Sequence, residues 1–325
     1  MAERAVRPHT GRLPLRVGTR GSPLALVQTR AFLAEISRFC PVMRDLDAFE
    51  EHPIRTTGDA VQDRRLADIG GKGLFAKEIH EALLDGRIDF AVHSLKDLET
   101  ELPPGIVLAC TMKREDARDA LILGPACVAP DPDEPFAALP SGARIGTSSV
   151  RRQAQLLHAR PDLSIVTLRG NVQTRLGKVA DGLCDASLLA LAGLRRLGLE
   201  DKASMALDPE TMVPAVGQGI VGITVRADNA ELIELLAAIE DPAARAVATA
   251  ERALLAALDG SCRTPIGGYA RLLPDGALHL TGLVARPDGS FLLKRFLRGP
   301  DTDAAHIGAE LGASLRAGSP VDLFA

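Results

Sequence analysis

The sequence predicts an α/β protein with two similar lobes and a smaller C-terminal α+β domain. From Leu15, short apolar runs alternate with amphipathic stretches, which is typical of β-α units around a largely parallel sheet. Two segments of the first half recur, in the same order, in the second half. After Asp228 the pattern changes to a helix, three strands and a helix. The 325 residues also exceed one ordinary core and suit two or three domains.

The first recurring segment is a strand followed by a tight turn and the start of a helix. It reads LRVGTRGS at 15–22 and ARIGTSS at 143–149. Ser22 before Pro23 predicts a helix N-cap with proline in the first helical position. The second segment, DGRIDFAV at 85–92 and DGLCDASL at 181–188, indicates a helix end, a turn and a buried strand. Chance similarity of βα turns would explain either segment alone, but two in one order favour repeated lobes.

The C-terminal part follows a different pattern. An alanine-rich stretch at 243–258 predicts a helix. Strand-like runs follow at 266–273, 277–285 and 290–297, and Pro-Asp-Gly turns separate them. A last helix is predicted at 304–316. Helix, three-stranded antiparallel sheet and helix together predict a small α+β domain.

Composition and charge argue against several classes of function. The net charge of −4 gives no positive field for nucleic acid or an anionic membrane. Aromatic residues, which would stack on bases, make up only 3% of the chain. No apolar run approaches the ~20 residues that span a bilayer. The arm 1–12 is basic but lacks the apolar core of a secretory signal, so we expect a cytoplasmic protein.

The cysteines are scattered, with neither a C-x-x-C pair nor a Cys/His cluster at zinc spacing. We therefore expect reduced thiols and no metal site. Cys262 differs from the others because Gly260 and Pro265 bound its loop, and the adjacent Arg263 favours a reactive thiolate. The cysteines in apolar or linker contexts are Cys40, Cys110, Cys127 and Cys184.

Three strand-to-helix turns carry arginine where an anion would bind. Free backbone N–H groups and the helix dipole favour negative charge at the start of a helix. Cationic side chains oppose that dipole, so structure alone gives no reason for them, and an anionic ligand is favoured over a solvated surface. A GC-rich genome would raise the number of arginines without placing them at these turns. The arginines concerned are Arg20, Arg151, Arg152, Arg169 and Arg175.

Lys96 and Asp97 follow directly on a buried apolar strand. Because ligands bind beyond the carboxyl ends of strands in open α/β sheets, both side chains are candidates for a cleft. The alternative is an ordinary Lys-Asp surface turn. The nearby glycine segment at 70–75 lacks the Ser or Thr that follows lysine in a phosphate loop, so it predicts a mobile loop beside the cleft.

Taken together, these motifs resemble the porphobilinogen deaminase (hydroxymethylbilane synthase) family in order and spacing. The resemblance extends from Leu15 to the C-terminus. The matching segments are VGTRGSPLA at 17–25, VHSLKD at 92–97, GTSSVRR at 146–152, LRGN at 168–171, PAVGQG at 214–219 and GSC at 260–262.

The resemblance implies two periplasmic-binding-protein-like α/β lobes around a cleft, plus a small C-terminal α+β domain with a three-stranded antiparallel sheet. Residues 1–112 and 213–229 would form the first lobe and 113–212 the second. Residues 230–325 would form the domain that carries the cofactor cysteine. The family is expected to act as a monomer.

The resemblance also implies a reaction. Four porphobilinogen molecules would be condensed head to tail, with loss of ammonia, on a covalently bound dipyrromethane, and the linear tetrapyrrole would then be released. Each pyrrole carries an acetate and a propionate, so the cleft must pair many carboxylates with donors. This requirement accounts for the arginines at the turns.

The resemblance assigns a role to individual residues. Asp97 would be catalytic, because its carboxylate stabilises the cationic azafulvene left by ammonia and the positive pyrrole nitrogens. The cofactor would be held by Cys262 through a thioether, and by Lys96, Asp97, Ser149, Arg151, Arg152 and Arg175. The substrate would be bound by Arg20, Ser22, Gln28, Phe75, Arg169, Asn171, Arg196 and Gln218.

Two other classes of function remain open from the sequence. A non-catalytic anion-binding protein with two hinged lobes would share the arginines, but it would need neither Asp97 nor Cys262. A nucleic-acid binder is disfavoured by the net charge and the scarcity of aromatic residues. A covalent pyrrole adduct would distinguish the enzyme from both.

Overall fold

This computed structural model describes residues 13–60, 73–259 and 265–324. The strands, in chain order, are β1 (Leu15–Arg20), β2 (Phe49–Ile54), β3 (Phe90–Ser94), β4 (Ile106–Thr111), β5 (Asp119–Leu123), β6 (Arg144–Gly146), β7 (Ser164–Val166), β8 (Ala186–Ala190), β9 (Met205–Ala206), β10 (Val221–Arg226), β11 (Ile266–Leu272), β12 (Leu278–Ala285) and β13 (Leu292–Gly299). The α-helices are α1 (Pro23–Phe39), α2 (Pro41–Asp45), α3 (Thr57–Ala60), α4 (Lys77–Leu84), α5 (Val150–Ala159), α6 (Val172–Ala180), α7 (Leu191–Arg196), α8 (Ala230–Ala237), α9 (Pro242–Ala257) and α10 (Ala304–Ala317).

Two sheets repeat one strand order. The first sheet runs β2-β1-β3-β10-β4 and the second runs β7-β6-β8-β5-β9. In each, the first three strands are parallel and the next strand is inserted antiparallel to its neighbours. The inserted strands are β10 and β5, which the chain enters after crossing between the sheets. The sheets are therefore mixed rather than largely parallel, and we call the two halves the first and second lobes.

The strand register defines which positions of the two lobes correspond. Gly18 of β1 pairs with Ala91 of β3, and Gly146 of β6 pairs with Ser187 of β8. Because Gly18 and Gly146 occupy the same place in the recurring strand-turn segment, each residue after Ala91 matches the residue at the same distance after Ser187. The repeat predicted from the sequence is thus present in the hydrogen-bonded sheets.

Helix α1 shows how local sequence places the cleft. The Ser22 side chain accepts a hydrogen bond from the Ala25 amide, and Pro23 occupies the first helical turn, as predicted. The helix buries Phe32 and Ile36 against Phe90 of β3, with the two phenyl centroids 5.7 Å apart. Truncating one such buried phenylalanine to alanine typically costs about 3–5 kcal/mol. This packing fixes the β1–α1 turn at the carboxyl end of the first sheet.

The described part of the C-terminal domain is a β11-β12-β13 antiparallel sheet covered by α9 and α10. The two helices approach closely because Gly308 faces the backbone of α9, where an added Cβ would lie 2.2 Å from the Ala250 carbonyl oxygen. With the two lobes, this domain confirms the predicted fold class. No helix within the described ranges is both long and apolar enough to cross a membrane.

Candidate active site

A cavity of about 750 Å³ lies between the two lobes, at the carboxyl ends of β1, β3 and β6. Cationic side chains outnumber carboxylates seven to two among the described residues that line it. The carboxylates are those of Asp59 and Asp97. The cations are Arg20, Arg55, Lys96, Arg151, Arg152, Arg169 and Arg175.

Arg20 links the two carboxylates of the first lobe. Its Nη1 donates to Asp97 Oδ2 at 3.1 Å, and its Nε and Nη2 donate to Asp59 at 3.2 and 2.5 Å. The Phe75 ring lies over the guanidinium, with its centroid 4.1 Å from the central carbon. Cation–π contact and two ion pairs together fix Arg20 at the mouth of the first lobe.

Asp59 was not predicted from the sequence. Burial alone would raise its pKa, but hydrogen bonds and the charge of Arg20, with a further hydrogen bond from Thr56, hold that pKa below its ordinary value. The segment Arg55–Asp59 follows the carboxyl end of β2. Polar residues beyond a strand end are the signal that identified Asp97, and the same signal would have identified Asp59.

Lys96 enters the cavity from the turn after β3. Burial lowers its pKa to about 8, the charge of Arg152 adds to the shift, and Asp97 and Asp119 oppose it. Its Nζ donates to Gln218 Oε1 at 3.2 Å. A lysine held in this way is a strong anion partner at neutral pH, because an anionic ligand would offset the positive charges that disfavour its protonation.

The paired arginines at the start of α5 do have a structural partner. We expected no structural reason for two cations at this helix start, and that expectation is wrong. Arg151 Nη2 and Arg152 Nη2 donate to the two carboxylate oxygens of Asp119, at 2.8 and 2.7 Å. Burial alone would raise the pKa of Asp119, but the two arginines outweigh it and hold the pKa well below its usual range. The partner was missed because Asp119 ends a charged run at 113–119 that is typical of a solvated linker.

Arg169 and Arg175 complete the cationic wall of the second lobe. Arg169 Nη2 donates across the cleft to the Gly58 carbonyl at 3.0 Å. Arg175 Nε donates to the Gly170 carbonyl at 2.9 Å, which turns the guanidinium back over the start of its own helix. Burial lowers the pKa of Arg175 to about 10, and the neighbouring arginines add to that shift. The positive potential in this wall is therefore high.

The other predicted polar residues that line the cavity are mostly helix caps. The side chains of Ser22, Ser149 and Asn171 accept hydrogen bonds from the first turns of α1, α5 and α6. All three line the cavity, so three helix N-termini point toward it. This arrangement adds partial positive charge to that of the arginines.

Not every predicted residue reaches the cavity. Gln28 is 3% exposed, does not line the cavity, and accepts a hydrogen bond from Ser94 at 3.0 Å. Arg196 also lies outside the lining and donates to the Gly219 carbonyl at 2.8 Å. Gln218 does line the cavity, but its side chain is buried and hydrogen-bonded to protein groups.

Cys262 lies outside the described residues. Leu255 and Ile266, which precede and follow it in the chain, both line the cavity. The four described cysteines do not line it. Burial raises the pKa of the Cys110 thiol to about 12, so this thiol is poorly reactive.

The residues present fit a polycarboxylate such as dipyrromethane, which carries an acetate and a propionate on each ring. The fit rests on the excess of cations over carboxylates and on Arg152, which is 6% exposed. Its Nε is buried without a hydrogen-bond partner among the described residues. A buried charged donor of this kind calls for an anionic acceptor.

Comparisons with known proteins agree with this chemistry. The family profile described as "Porphobilinogen deaminase, dipyromethane cofactor binding domain" matches residues 15–234, and "Porphobilinogen deaminase, C-terminal domain" matches 245–317. The porphobilinogen deaminase of Paracoccus denitrificans is 48% identical over 96% of this chain and 96% of that protein. The chloroplastic porphobilinogen deaminase of Oryza sativa is 45% identical over 93% and 83%. A periplasmic binding protein from Brucella ovis covers 75% of this chain and 68% of its own, at 18% identity and a TM-score of 0.38. The chain belongs to the porphobilinogen deaminase family, whose members are transferases of porphyrin and haem biosynthesis with a dipyrromethane cofactor.

Proposed function

We propose that this chain condenses four porphobilinogen molecules head to tail, with loss of ammonia, and releases the linear tetrapyrrole hydroxymethylbilane by hydrolysis. One observation carries the proposal: among the described residues, seven cations and two carboxylates face one interlobe cavity of about 750 Å³. A growing polypyrrole brings many carboxylates, each of which needs donors in place of water. Its ring nitrogens need a carboxylate instead, and Asp97 supplies one.

The cofactor is assigned to a defined set of residues. When bound, dipyrromethane supplies the pyrrole end to which the first substrate unit is joined. Cys262 would hold it through a thioether, and the carboxylates would be received by Lys96, Ser149, Arg151, Arg152 and Arg175, with Asp97 facing the ring nitrogens. The members of this set that the structure describes all line the cavity.

Asp97 is proposed as the catalytic residue. When the bond between the aminomethyl carbon and nitrogen of the substrate breaks, ammonia leaves and positive charge spreads over the substrate ring. A fixed carboxylate stabilises this charge more than it stabilises the neutral substrate, so it lowers the barrier. Arg20, 3.1 Å from Asp97, restricts where that carboxylate lies. Orientation in advance avoids reorganisation during the reaction.

The substrate carboxylates are assigned to the remaining polar residues. Arg20 and Arg169 would provide the charged donors, and Phe75 would cover the site beside Arg20. We propose that Gln28 and Arg196 act indirectly, because neither lines the cavity. Gln28 accepts from Ser94, two residues before Lys96, and Arg196 donates to the carbonyl of Gly219, which follows Gln218. The proposed substrate-binding residues are Arg20, Ser22, Gln28, Phe75, Arg169, Asn171, Arg196 and Gln218.

We propose that residues 1–112 and 213–229 form the first lobe, 113–212 the second lobe and 230–325 the C-terminal domain. These boundaries are supported by the two places where the chain crosses between the sheets, which lie between β4 and β5 and between β9 and β10. We also propose a cytoplasmic monomer that binds neither nucleic acid nor membrane. Light scattering of the purified protein would test the oligomeric state.

Intact mass of the purified protein tests the proposed function. We expect an excess mass equal to two linked pyrroles, a colour reaction with Ehrlich-type aldehyde reagent, and an adduct on the peptide that contains Cys262. Cys262→Ala should abolish all three, whereas Cys110→Ala should retain them. An adduct on another cysteine, or full activity of Cys262→Ala, would refute the assignment. An anion-binding protein without catalysis would show no added mass.

A further inference from the structure

Asp119 is a buried carboxylate just behind the wall of the cavity. It is 0% exposed and does not itself line the cavity. Its Oδ2 accepts from Arg151 at 2.8 Å, and its Oδ1 accepts from Arg152 at 2.7 Å and from Gln218 Nε2 at 2.9 Å. One carboxylate therefore fixes two cations that would otherwise repel each other.

Through its contact with Gln218, Asp119 also affects Lys96 in the opposite lobe. Gln218 Nε2 also donates to the Ala117 carbonyl at 2.7 Å, so both amide hydrogens are used. The amide oxygen must then point the other way, where it accepts from Lys96 Nζ at 3.2 Å. Asp119 thus orients Lys96 of the first lobe through a single side chain.

The fold does not require an acid at this position. Asp119 pairs with Ala190 in the second sheet, and Val221 pairs with Ser94 at the corresponding register of the first sheet. Val221 is 2% exposed, so an apolar residue fills the equivalent place without difficulty. Burying a carboxylate instead carries a desolvation cost that an apolar residue avoids. The acid must therefore serve the arginines rather than the sheet.

Arg151 and Arg152 each have N–H groups that do not bond to Asp119. Besides Asp119, Arg151 Nη1 donates to the Val213 carbonyl at 2.5 Å and Arg152 Nη1 donates to the Leu188 carbonyl at 2.8 Å. These bonds tie down both guanidinium groups while both side chains still line the cavity. Such rigid forks can receive a carboxylate without losing side-chain entropy at that moment.

We propose that Asp119 is a positioning residue for cofactor binding: it holds Arg151, Arg152 and, through Gln218, Lys96 at the spacing that receives the cofactor carboxylates. This inference rests on the proposed function. Asp119 touches neither the cavity nor the reacting atoms, and it acts only through the three cations.

The first test compares Asp119→Asn with Glu251→Gln in the full chain. Glu251 is a matched control because it is also 0% exposed and its carboxylate receives Arg114 at 2.6 Å, but Arg114, unlike Arg151 and Arg152, does not line the cavity. We expect Asp119→Asn to purify with at least about tenfold less covalent cofactor than wild type, because it weakens the charge-assisted hydrogen bonds that fix both arginines. Glu251→Gln, at a comparable loss of melting temperature, should keep most of its cofactor. Equal loading of the two variants would overturn the proposal.

Asp119→Glu covers the case in which Asp119→Asn does not fold. It keeps the charge but displaces it by one methylene, so the protein should fold with a melting temperature near wild type and reduced cofactor loading. Loading equal to wild type in a folded Asp119→Glu protein would contradict a positioning role.

A second readout does not depend on cofactor. In a Cys262→Ala background, reductive methylation of Lys96 is followed by mass spectrometry as a function of pH. Removing the Asp119 charge should move half-reaction of Lys96 to lower pH, because Asp119 is one of the groups that keep its pKa up. Glu251→Gln should leave the profile unchanged. An unshifted profile in Asp119→Asn would overturn the proposal, whereas a wild-type protein without adduct would instead refute the proposed function.

Discussion

The two lobes share a strand order but carry opposite kinds of chemistry at corresponding positions. Counting from the paired residues Ala91 and Ser187, Lys96 corresponds to Ala192, and Asp97 corresponds to Gly193. The second lobe thus has small residues where the first has its lysine and its carboxylate. A Cβ on Gly193 would lie 3.4 Å from the Leu24 side chain of α1, an ordinary van der Waals contact, so this position faces the other lobe.

The difference is reversed one strand further along the sheet. There the second lobe carries the buried Asp119 and the first carries Val221. The second lobe also carries Arg151 and Arg152 on α5 and Arg175 on α6, whereas Arg20 of the first lobe ends β1. The repeated topology sets where side chains meet, and the residues at each site place the proposed catalytic carboxylate in the first lobe and most of the proposed anion-binding arginines in the second.

The largest expected effect comes from giving the first lobe a neutral side chain at its proposed catalytic position. Asp97→Asn keeps the shape but removes the charge, so turnover per loaded enzyme should fall by about 10³-fold or more, as for other preorganised electrostatic groups. Asp97→Glu should be down by ~10²-fold, which is typical of a group misplaced by about 1 Å. Product formation is normalised to cofactor measured by intact mass, and folding is checked by thermal melt. Near-wild-type turnover of Asp97→Asn would make Asp97 a simple turn residue.

Much of this division could be predicted from the sequence. Lys96 and Asp97 stand out because they follow an apolar strand, and Arg151 and Arg152 because cations are unusual at a helix start. Asp119 could not be predicted, because in the sequence it is only the end of a charged run. Its partners, Arg151 and Arg152, lie more than thirty residues later in the chain, and only the fold brings them to this carboxylate.

Because Asp119 pairs with Arg151 and Arg152, substitutions of these arginines are harder to interpret. Replacing Arg151 or Arg152 by leucine removes a charge that we propose binds the cofactor. Each replacement now also removes one of the two charges that offset Asp119. Breaking a buried pair in this way typically costs about 3–5 kcal/mol. Loss of cofactor in these variants would therefore mix destabilisation with lost binding.

A substitution of Arg175 in the second lobe is easier to interpret, and its expected effect is of intermediate size. Its Nε donates only to a backbone carbonyl, so Arg175→Gln leaves no buried carboxylate unpaired. Losing one charge-assisted contact with a cofactor carboxylate costs about 1.5–3 kcal/mol, or roughly 10- to 100-fold in affinity. We expect a similar reduction in the ratio of loaded to unloaded protein, measured by intact mass. Lys178→Gln is the control, because Lys178 lies on the same helix but does not line the cavity, and it should load normally.

The smallest expected effect is on the free energy of unfolding at acid pH. It involves His93 of the first lobe, which corresponds to Leu189 of the second. Burial lowers the pKa of His93 to about 3, and the charges of His80 and Arg20 add to the shift. Burial also lowers the pKa of His80, whose ring lies 5.7 Å from that of His93, to about 4. Both imidazoles are therefore neutral in the folded protein at pH 5.

The sign of the effect follows from proton binding. Below the unfolded pKa of about 6.5, the unfolded chain takes up protons that folded His93 and His80 do not. The free energy of unfolding should therefore fall as the pH drops, by up to ~1.4 kcal/mol per pH unit for each histidine, with no such change above pH 7. His93→Gln retains a partner for the Thr224 hydroxyl, which lies 2.9 Å from His93 Nε2. Denaturant melts between pH 5 and 8 should show His93→Gln losing one histidine's share of the slope and matching wild type in slope above pH 7. Equal slopes for wild type and variant between pH 5 and 6 would mean that His93 is protonated in the folded protein, and that the first lobe tolerates a charge inside its sheet.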